Sequence, residues 1–124
     1  MNIIDKKFTY AVVGASNNTE KYGYKVLADL KNAGFNVIPI NPKEKEILGL
    51  KVYKKISDIP KKIDVAIFIV PPDVTKSILP EILNLDINKI WLQPGSESDE
   101  IIKFCQDHNI ECVHDACIMI EKNK

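Results

Sequence analysis

Tyr10-Ala-Val-Val-Gly14-Ala15-Ser16-Asn17-Asn18-Thr19-Glu20-Lys21-Tyr22-Gly23 is the stretch that decides the fold. An apolar run leads into small and polar residues, and helical spacing begins after them. The succession is a buried strand, a tight turn and the start of a helix. Such a turn aims backbone N–H groups and the positive end of a helix dipole at one point, which suits a phosphate. The dinucleotide-binding spacing of glycines is approached but not met. Gly14 opens the turn, but Ser16 stands where the second glycine belongs and Thr19 where the third belongs. The stretch therefore predicts a phosphate-bearing ligand and argues against ordinary NAD. A β–α turn with no ligand is the plain alternative, because a lone glycine-rich turn is a weak signal.

Outward from this turn, the chain alternates strands and helices. Residues 1–8 form a polar lead-in with room for a short helix. The first helix is expected from Thr19 to Ala33, with Tyr22, Val26, Leu27, Leu30 and Ala33 on one buried stripe and Gly34 after its end. Asn36 to Ile40 is a second strand, weakened by Pro39, which is therefore placed at the strand's end. Residues 44–56 look irregular, with a turn at Gly49 and a short extended piece at Val52-Tyr53. Ser57 to Pro60 suggests one helical turn. Val65-Ala-Ile-Phe-Ile-Val70 is the strongest strand signal, and Pro71-Pro72 stops it. A helix capped by Asp73 follows, with Val74, Ile78, Leu79, Ile82 and Leu85 inward, and Pro80 should kink or split it. Lys89 to Leu92 is the fourth strand. Ser96 caps a helix through His108, and Ile110 to Val113 is the fifth strand. This order predicts a single α/β domain over residues 1–124, a three-layer Rossmann-like arrangement. Its five-stranded parallel sheet has helices on both faces and spatial order 3-2-1-4-5. Ligands in such sheets sit beyond the carboxyl ends of the strands.

The bulk composition narrows the function. The chain has 124 residues, 45% hydrophobic and 27% charged, enough for one core. Seventeen basic residues balance seventeen acidic ones, so no basic excess points to nucleic acid or an anionic membrane. No apolar run approaches the roughly 18 residues of a membrane span. Three cysteines, an odd number, fit a reducing cytoplasm better than a disulfide framework. Cys105, Cys112 and Cys117 lack zinc-ligand pairing, and His108 and His114 do not complete it, so no metal site is expected.

The loops after the strands carry the chemistry. The second loop, Asn41-Pro42-Lys43, offers a neutral side chain and a cation where an NAD-binding fold places an acid. An ammonium there attracts a phosphorylated ribose, as in NADP or coenzyme A, whereas a solvated loop lysine is the plain reading. Lys21 lies in the first helical turn, where the dipole disfavours a cation unless a pyrophosphate reverses the penalty. Gly23 costs about 1 kcal/mol of helix propensity against alanine, which close packing would justify. Pro71-Pro72 is a strand stop that can also serve as an apolar ledge. Cys117 is the nucleophile candidate near the cleft, three residues after His114, but no oxyanion hole is legible. A buried, inert thiol is the better reading, with Asp115 capping the last helical turn.

Gly14-Ala-Ser-Asn-Asn-x-x-Lys21-Tyr22-Gly23, Ile40-Asn-Pro42, Ile47-Leu-Gly49, Val70-Pro-Pro72, Trp91-Leu-Gln-Pro-Gly95 and Cys117-Ile-Met119 together resemble the small stand-alone CoA-binding proteins. These are similar to the CoA-binding Rossmann domain of the succinyl-CoA synthetase α subunit. The resemblance covers nearly the whole chain. It implies that Gly14, Ala15, Ser16 and Asn17 cradle the pyrophosphate, with Lys21, Tyr22 and Gly23 completing the first loop. Asn41, Pro42 and Lys43 would meet the ribose and its phosphate. Val70, Pro71 and Pro72 would line the ligand. Cys117 would lie close to the thiol end of CoA. The synthetase's phosphorylated histidine and ATP-grasp partner have no counterpart here, so ligase activity is not implied. The expected function is binding of coenzyme A or an acyl-CoA without catalysis. The alternatives are an NAD(P)-binding redox-sensing module and an acyl-CoA enzyme subunit using Cys117. The expected partner is a small-molecule nucleotide, with a homodimer left open and no nucleic acid or membrane.

Overall fold

The computed structural model describes residues 3–124. Five parallel strands form the main sheet: β1 (Thr9–Val13), β2 (Asn36–Ile40), β5 (Val65–Phe68), β6 (Lys89–Leu92) and β7 (Glu111–Val113). A two-stranded hairpin, β3 (Glu46–Ile47) with β4 (Leu50–Lys51), and a 3-10 turn at Ile56–Asp58 fill the connection between β2 and β5. Among the described residues four helices complete the fold: α1 (Tyr22–Asn32), α2 (Pro72–Asn84), α3 (Asp99–Asp107) and α4 (Ile118–Glu121).

Strand alternation sorts the core into two layers. Ala11, Val13, Ala66, Phe68, Ile90 and Leu92 face α2 and α3. Tyr10, Val12, Val65, Ile67 and Trp91 face α1 and α4. Successive side chains on a strand point to opposite faces, so a sheet covered on both sides needs continuous apolar runs. The α/β class, the parallel sheet and the helices on both faces are as the sequence predicts. Tyr10 ties the lead-in to this core. Its hydroxyl donates to Ile3 O at 2.8 Å and accepts from Asp5 N at 2.9 Å, and burial raises its pKa. Residues 3–8 form turns rather than the expected short helix, and residues 1 and 2 lie outside the described residues.

The strand order differs from the expectation. The sheet runs β2-β1-β5-β6-β7, which is 2-1-3-4-5 when its five strands are counted in sequence, not 3-2-1-4-5. Composition explains the correction. Every residue of β5 is buried, as the centre of a sheet requires. β2 carries Pro39, which belongs on an edge. Pro39 O accepts from Tyr53 N at 3.1 Å, so this residue's ladder side faces away from β1 and its missing N–H interrupts no pairing between the two strands. The order therefore reverses between β1 and β5, and the loops after those two strands flank the crevice.

Several helices sit differently on the sheet than their periodicity suggests. α1 starts at Tyr22, three residues later than expected, and Tyr22 is 62% exposed while Gly23 takes a buried position. α2 buries Thr75, Leu79 and Ile82, whereas Val74 and Leu85 are exposed. Pro71 occupies its N-cap with no side-chain bond, so Asp73 is a first-turn acid rather than the cap. Pro80 does not split α2; it is exposed, as is Lys76 four residues back, so the carbonyl it leaves unbonded faces water. Ser98, not Ser96, caps α3 by accepting from Ile101 N at 3.2 Å.

Candidate functional site at the carboxyl ends of the strands

The turn after β1 is shaped by two glycines in contact. Gly14 has φ +96°, and a Cβ there would lie 2.5 Å from Ile69 O and 2.8 Å from Val70 Cγ1. A Cβ on Gly23 would lie 2.0 Å from Gly14 O. The start of α1 thus rests on the turn itself, which accounts for a residue that helix propensity disfavours.

Side chains hold the rest of the turn. Ser16 Oγ accepts from Asn18 N at 3.0 Å, and Asn18 Oδ1 accepts from Glu20 N at 3.0 Å. Lys21 N donates to Asn18 O at 3.0 Å. Asn17 Nδ2 donates to the Glu44 carboxylate and, at 2.9 Å, to Glu46 O. These bonds leave the N–H groups of Ala15, Ser16, Asn17, Thr19, Tyr22 and Gly23 without a protein acceptor among the described residues. α1 has no side-chain cap and no acid in its first turn. A helix start in that condition is a ready anion site. Among the described residues, neither Lys21 nor Lys43 has an ion-pair partner, and both are exposed.

The loop after β2 leans on the same turn. Asn41 Nδ2 donates to Ala15 O at 2.8 Å, and Asn41 Oδ1 accepts from Lys43 N at 2.8 Å and from Glu44 N at 3.2 Å. Asn41 is thus the hinge post of the loop, and Pro42 and Lys43 stand out into solvent.

Beside the turn lies a cleft of about 460 Å³. Tyr22 borders it at the start of α1 and Ile69 to Pro72 after β5; Gln93 to Ser96 after β6 and Cys117 before α4 complete it. Four of the residues expected to hold the ligand line it, Tyr22, Val70, Pro71 and Pro72, as does Cys117, expected near the cleft. Gly14 abuts Val70 at its rim. Ala15, Ser16, Asn17, Lys21, Gly23, Asn41, Pro42 and Lys43 do not line it; they surround the adjoining turn. The structure therefore separates the candidate site into a polar turn and an apolar cleft.

The loop after β6, quoted above only as the motif Trp91-Leu-Gln-Pro-Gly95, has residues in the site that the sequence did not assign to it. Ser96 is buried, and its Oγ accepts from Val70 N at 3.1 Å, bracing the proline loop. Gln93 is buried at the cleft wall. The signal was present in Trp91-Leu-Gln-Pro-Gly95, where a polar amide directly follows a buried strand.

Cys117 is not buried as expected. It is partly exposed on the cleft wall, and its Sγ accepts from Gln93 Nε2 at 3.4 Å. Among the described residues no hydrogen bond joins Cys117 to His114, whose Nδ1 bonds Asp115 Oδ2 at 2.7 Å. Asp115, at φ +59°, is not a helix cap; Cys117 takes the N-cap position of α4. Lys122, 7% exposed, pairs with Asp29 at 3.1 Å and fixes α4 against α1.

Comparison with known proteins extends this geometry. The family model described as "CoA binding domain" matches residues 8–123. The α subunit of acetate–CoA ligase (ADP-forming) II from Pyrococcus furiosus is 31% identical over 121 residues, which cover 89% of this chain and 26% of the ligase subunit. The chain thus spans about a quarter of that subunit's length. A conserved hypothetical protein of known structure, also from Pyrococcus furiosus, superposes with a TM-score of 0.88 at 43% identity, covering 92% of this chain and 98% of the other. The uncharacterized protein YneT of Bacillus subtilis is 25% identical, over 95% of this chain and 87% of its own length. The glycine contact, the free N–H groups and the adjoining cleft are thus features of a chain that belongs to the CoA binding domain family.

Proposed function

We propose that this protein binds coenzyme A or an acyl-CoA and does not transform it. The carrying observation is the adjacency of two unlike surfaces. A turn with six backbone N–H groups unclaimed among the described residues opens directly onto an apolar cleft, and Tyr22 belongs to both. Coenzyme A has the same division, with charged phosphates at one end and a mainly uncharged arm at the other. In this reading Gly14, Ala15, Ser16 and Asn17 surround the pyrophosphate with Lys21 and the start of α1 at Tyr22 and Gly23. Asn41, Pro42 and Lys43 meet the ribose and its 3′-phosphate. Val70, Pro71 and Pro72 support the arm. The name of the acetate–CoA ligase relative includes CoA, which supports the ligand class. Its ligation chemistry is not carried over to a chain that spans 26% of its length.

Calorimetry with CoA, dephospho-CoA, NADP and NAD tests this reading. CoA binds tightest. Lys43→Glu weakens CoA roughly tenfold and dephospho-CoA less than about twofold, since only the former carries the phosphate that the ammonium attracts. Equal losses for both ligands would remove Lys43 from the site. Tighter binding of NADP or NAD than of CoA would replace the ligand class.

A further inference from the structure

Gln93 is a buried polar side chain in a wall that is otherwise largely apolar. It is 3% exposed. Its backbone is pinned on both sides: the N–H donates to Phe68 O at 3.1 Å, and the carbonyl accepts from Ser96 N at 2.9 Å. Its Oε1 accepts from Ile118 N at 2.8 Å. That bond settles which way the amide faces, because a backbone N–H requires the oxygen on its side. Nε2 therefore points to the cleft wall, toward Cys117 Sγ.

The amide nitrogen carries two hydrogens. One is directed at sulfur, a weak acceptor, at 3.4 Å. The second has no protein acceptor among the described residues. Buried donors in folded proteins are normally satisfied, and one held in place facing a cleft suits an acceptor brought by a ligand. The neighbouring Pro71, Pro72 and Pro94 have no N–H to offer that acceptor.

Position along the sheet puts this donor on the side of the cleft away from the phosphate turn. The cleft crosses the strand ends in the order β1, β5, β6, β7, with Tyr22 after β1 and Gln93 after β6. Strands lie about 4.8 Å apart, so Gln93 is about 10 Å across the sheet from the phosphate turn, out of reach of the phosphates and within reach of carbonyls along the arm and at its end. We infer that Gln93 Nε2 donates to the carbonyl oxygen of an acyl thioester, so that this cleft distinguishes an acyl-CoA from free CoA. The inference rests on the CoA reading above and adds the ligand class.

The test compares acetyl-CoA with S-ethyl-CoA, a thioether of the same length without the carbonyl, by calorimetry on the full chain. Wild type binds acetyl-CoA roughly tenfold tighter, the ratio expected for one hydrogen bond. Gln93→Glu keeps an oxygen for Ile118 N–H but replaces the donor, and it abolishes the difference while leaving S-ethyl-CoA within about twofold. Equal wild-type affinities for the two ligands overturn the inference without any variant. So does Gln93→Glu weakening both ligands and free CoA alike, which would assign the amide to the arm or to structure. Absence of binding by all three ligands removes the CoA reading itself, and the inference with it.

Discussion

The turn after β1 and the loops after β5 and β6 touch each other, yet they are built from opposite materials. The turn is backbone against backbone. Gly14 and Gly23 exclude side chains from their contact, and Ser16 and Asn18 use their oxygens to hold neighbouring N–H groups. The loops are side chain against solvent, with Pro71, Pro72 and Pro94 forming an apolar wall. The turn offers donors without a partner, whereas the wall offers almost none. A site made this way suits the proposed ligand, charged at one end and mainly uncharged at the other, and neither half alone would select it.

The two halves should fail differently. Gly23→Ala gives the largest expected effect, because two terms oppose each other and one dominates. Alanine improves helix propensity by about 1 kcal/mol. Its methyl would sit 2.0 Å from Gly14 O, a backbone atom that cannot swing aside. Overpacking of this kind costs about 3 kcal/mol, so the net change is destabilising by about 2 kcal/mol. For a domain of this size the melting midpoint falls on the order of 10 °C. Affinity for CoA falls as well, since the start of α1 must retreat from the turn. A midpoint that rises instead would mean that the glycine contact does not set the position of the helix.

Ser96→Ala acts on the other half and should cost less. It removes the acceptor for Val70 N–H, a partly buried group, at about 1–2 kcal/mol in denaturant titration with an unchanged slope. The proline loop loses its brace, so the cleft is affected while the turn after β1 is not. Dephospho-CoA and CoA should then weaken by the same factor, in contrast to Lys43→Glu. If Ser96→Ala weakens CoA more than dephospho-CoA, the division of labour between turn and cleft is wrong.

The sequence discloses these halves unequally, for a physical reason. Gly14-Ala-Ser-Asn is contiguous, so its strand–turn–helix succession is legible by local rules. The apolar run of β5 and the stop at Pro71-Pro72 are equally local. The cleft is assembled from four separate segments, and its membership depends on strand order, which no local pattern states. Pro39 was the clue to that order: a proline inside a strand asks for an edge, and the edge is where β2 lies. Gln93 and Ser96 were visible as polar residues after a buried strand. Only the return of α4 to the sheet, held by Lys122 and Asp29, reveals what Gln93 faces. Tyr22 illustrates a smaller loss. Its spacing fits the buried stripe, but a helix that begins at that residue leaves its ring beyond the sheet.

That exposed ring supplies the smallest expected effect on the fold and a sharp test of the comparison. Tyr22 is 62% exposed, with Lys25 Nζ 5.4 Å from its ring centroid, so Tyr22→Ala should shift stability by no more than about 0.5 kcal/mol. It also borders the cleft beside the turn, where a bound arm would cover it. Affinity for CoA should therefore fall by roughly fivefold through lost apolar contact alone. Contact of that kind is insensitive to salt, whereas attraction between Lys43 and a phosphate is screened over about 8 Å at physiological ionic strength. The Tyr22→Ala loss should stay constant from low to high salt, and the Lys43→Glu loss should shrink. A Tyr22→Ala loss that shrinks in step with that of Lys43→Glu would place the ring on the charged half of the ligand. The boundary between turn and cleft would then lie one loop further along the sheet.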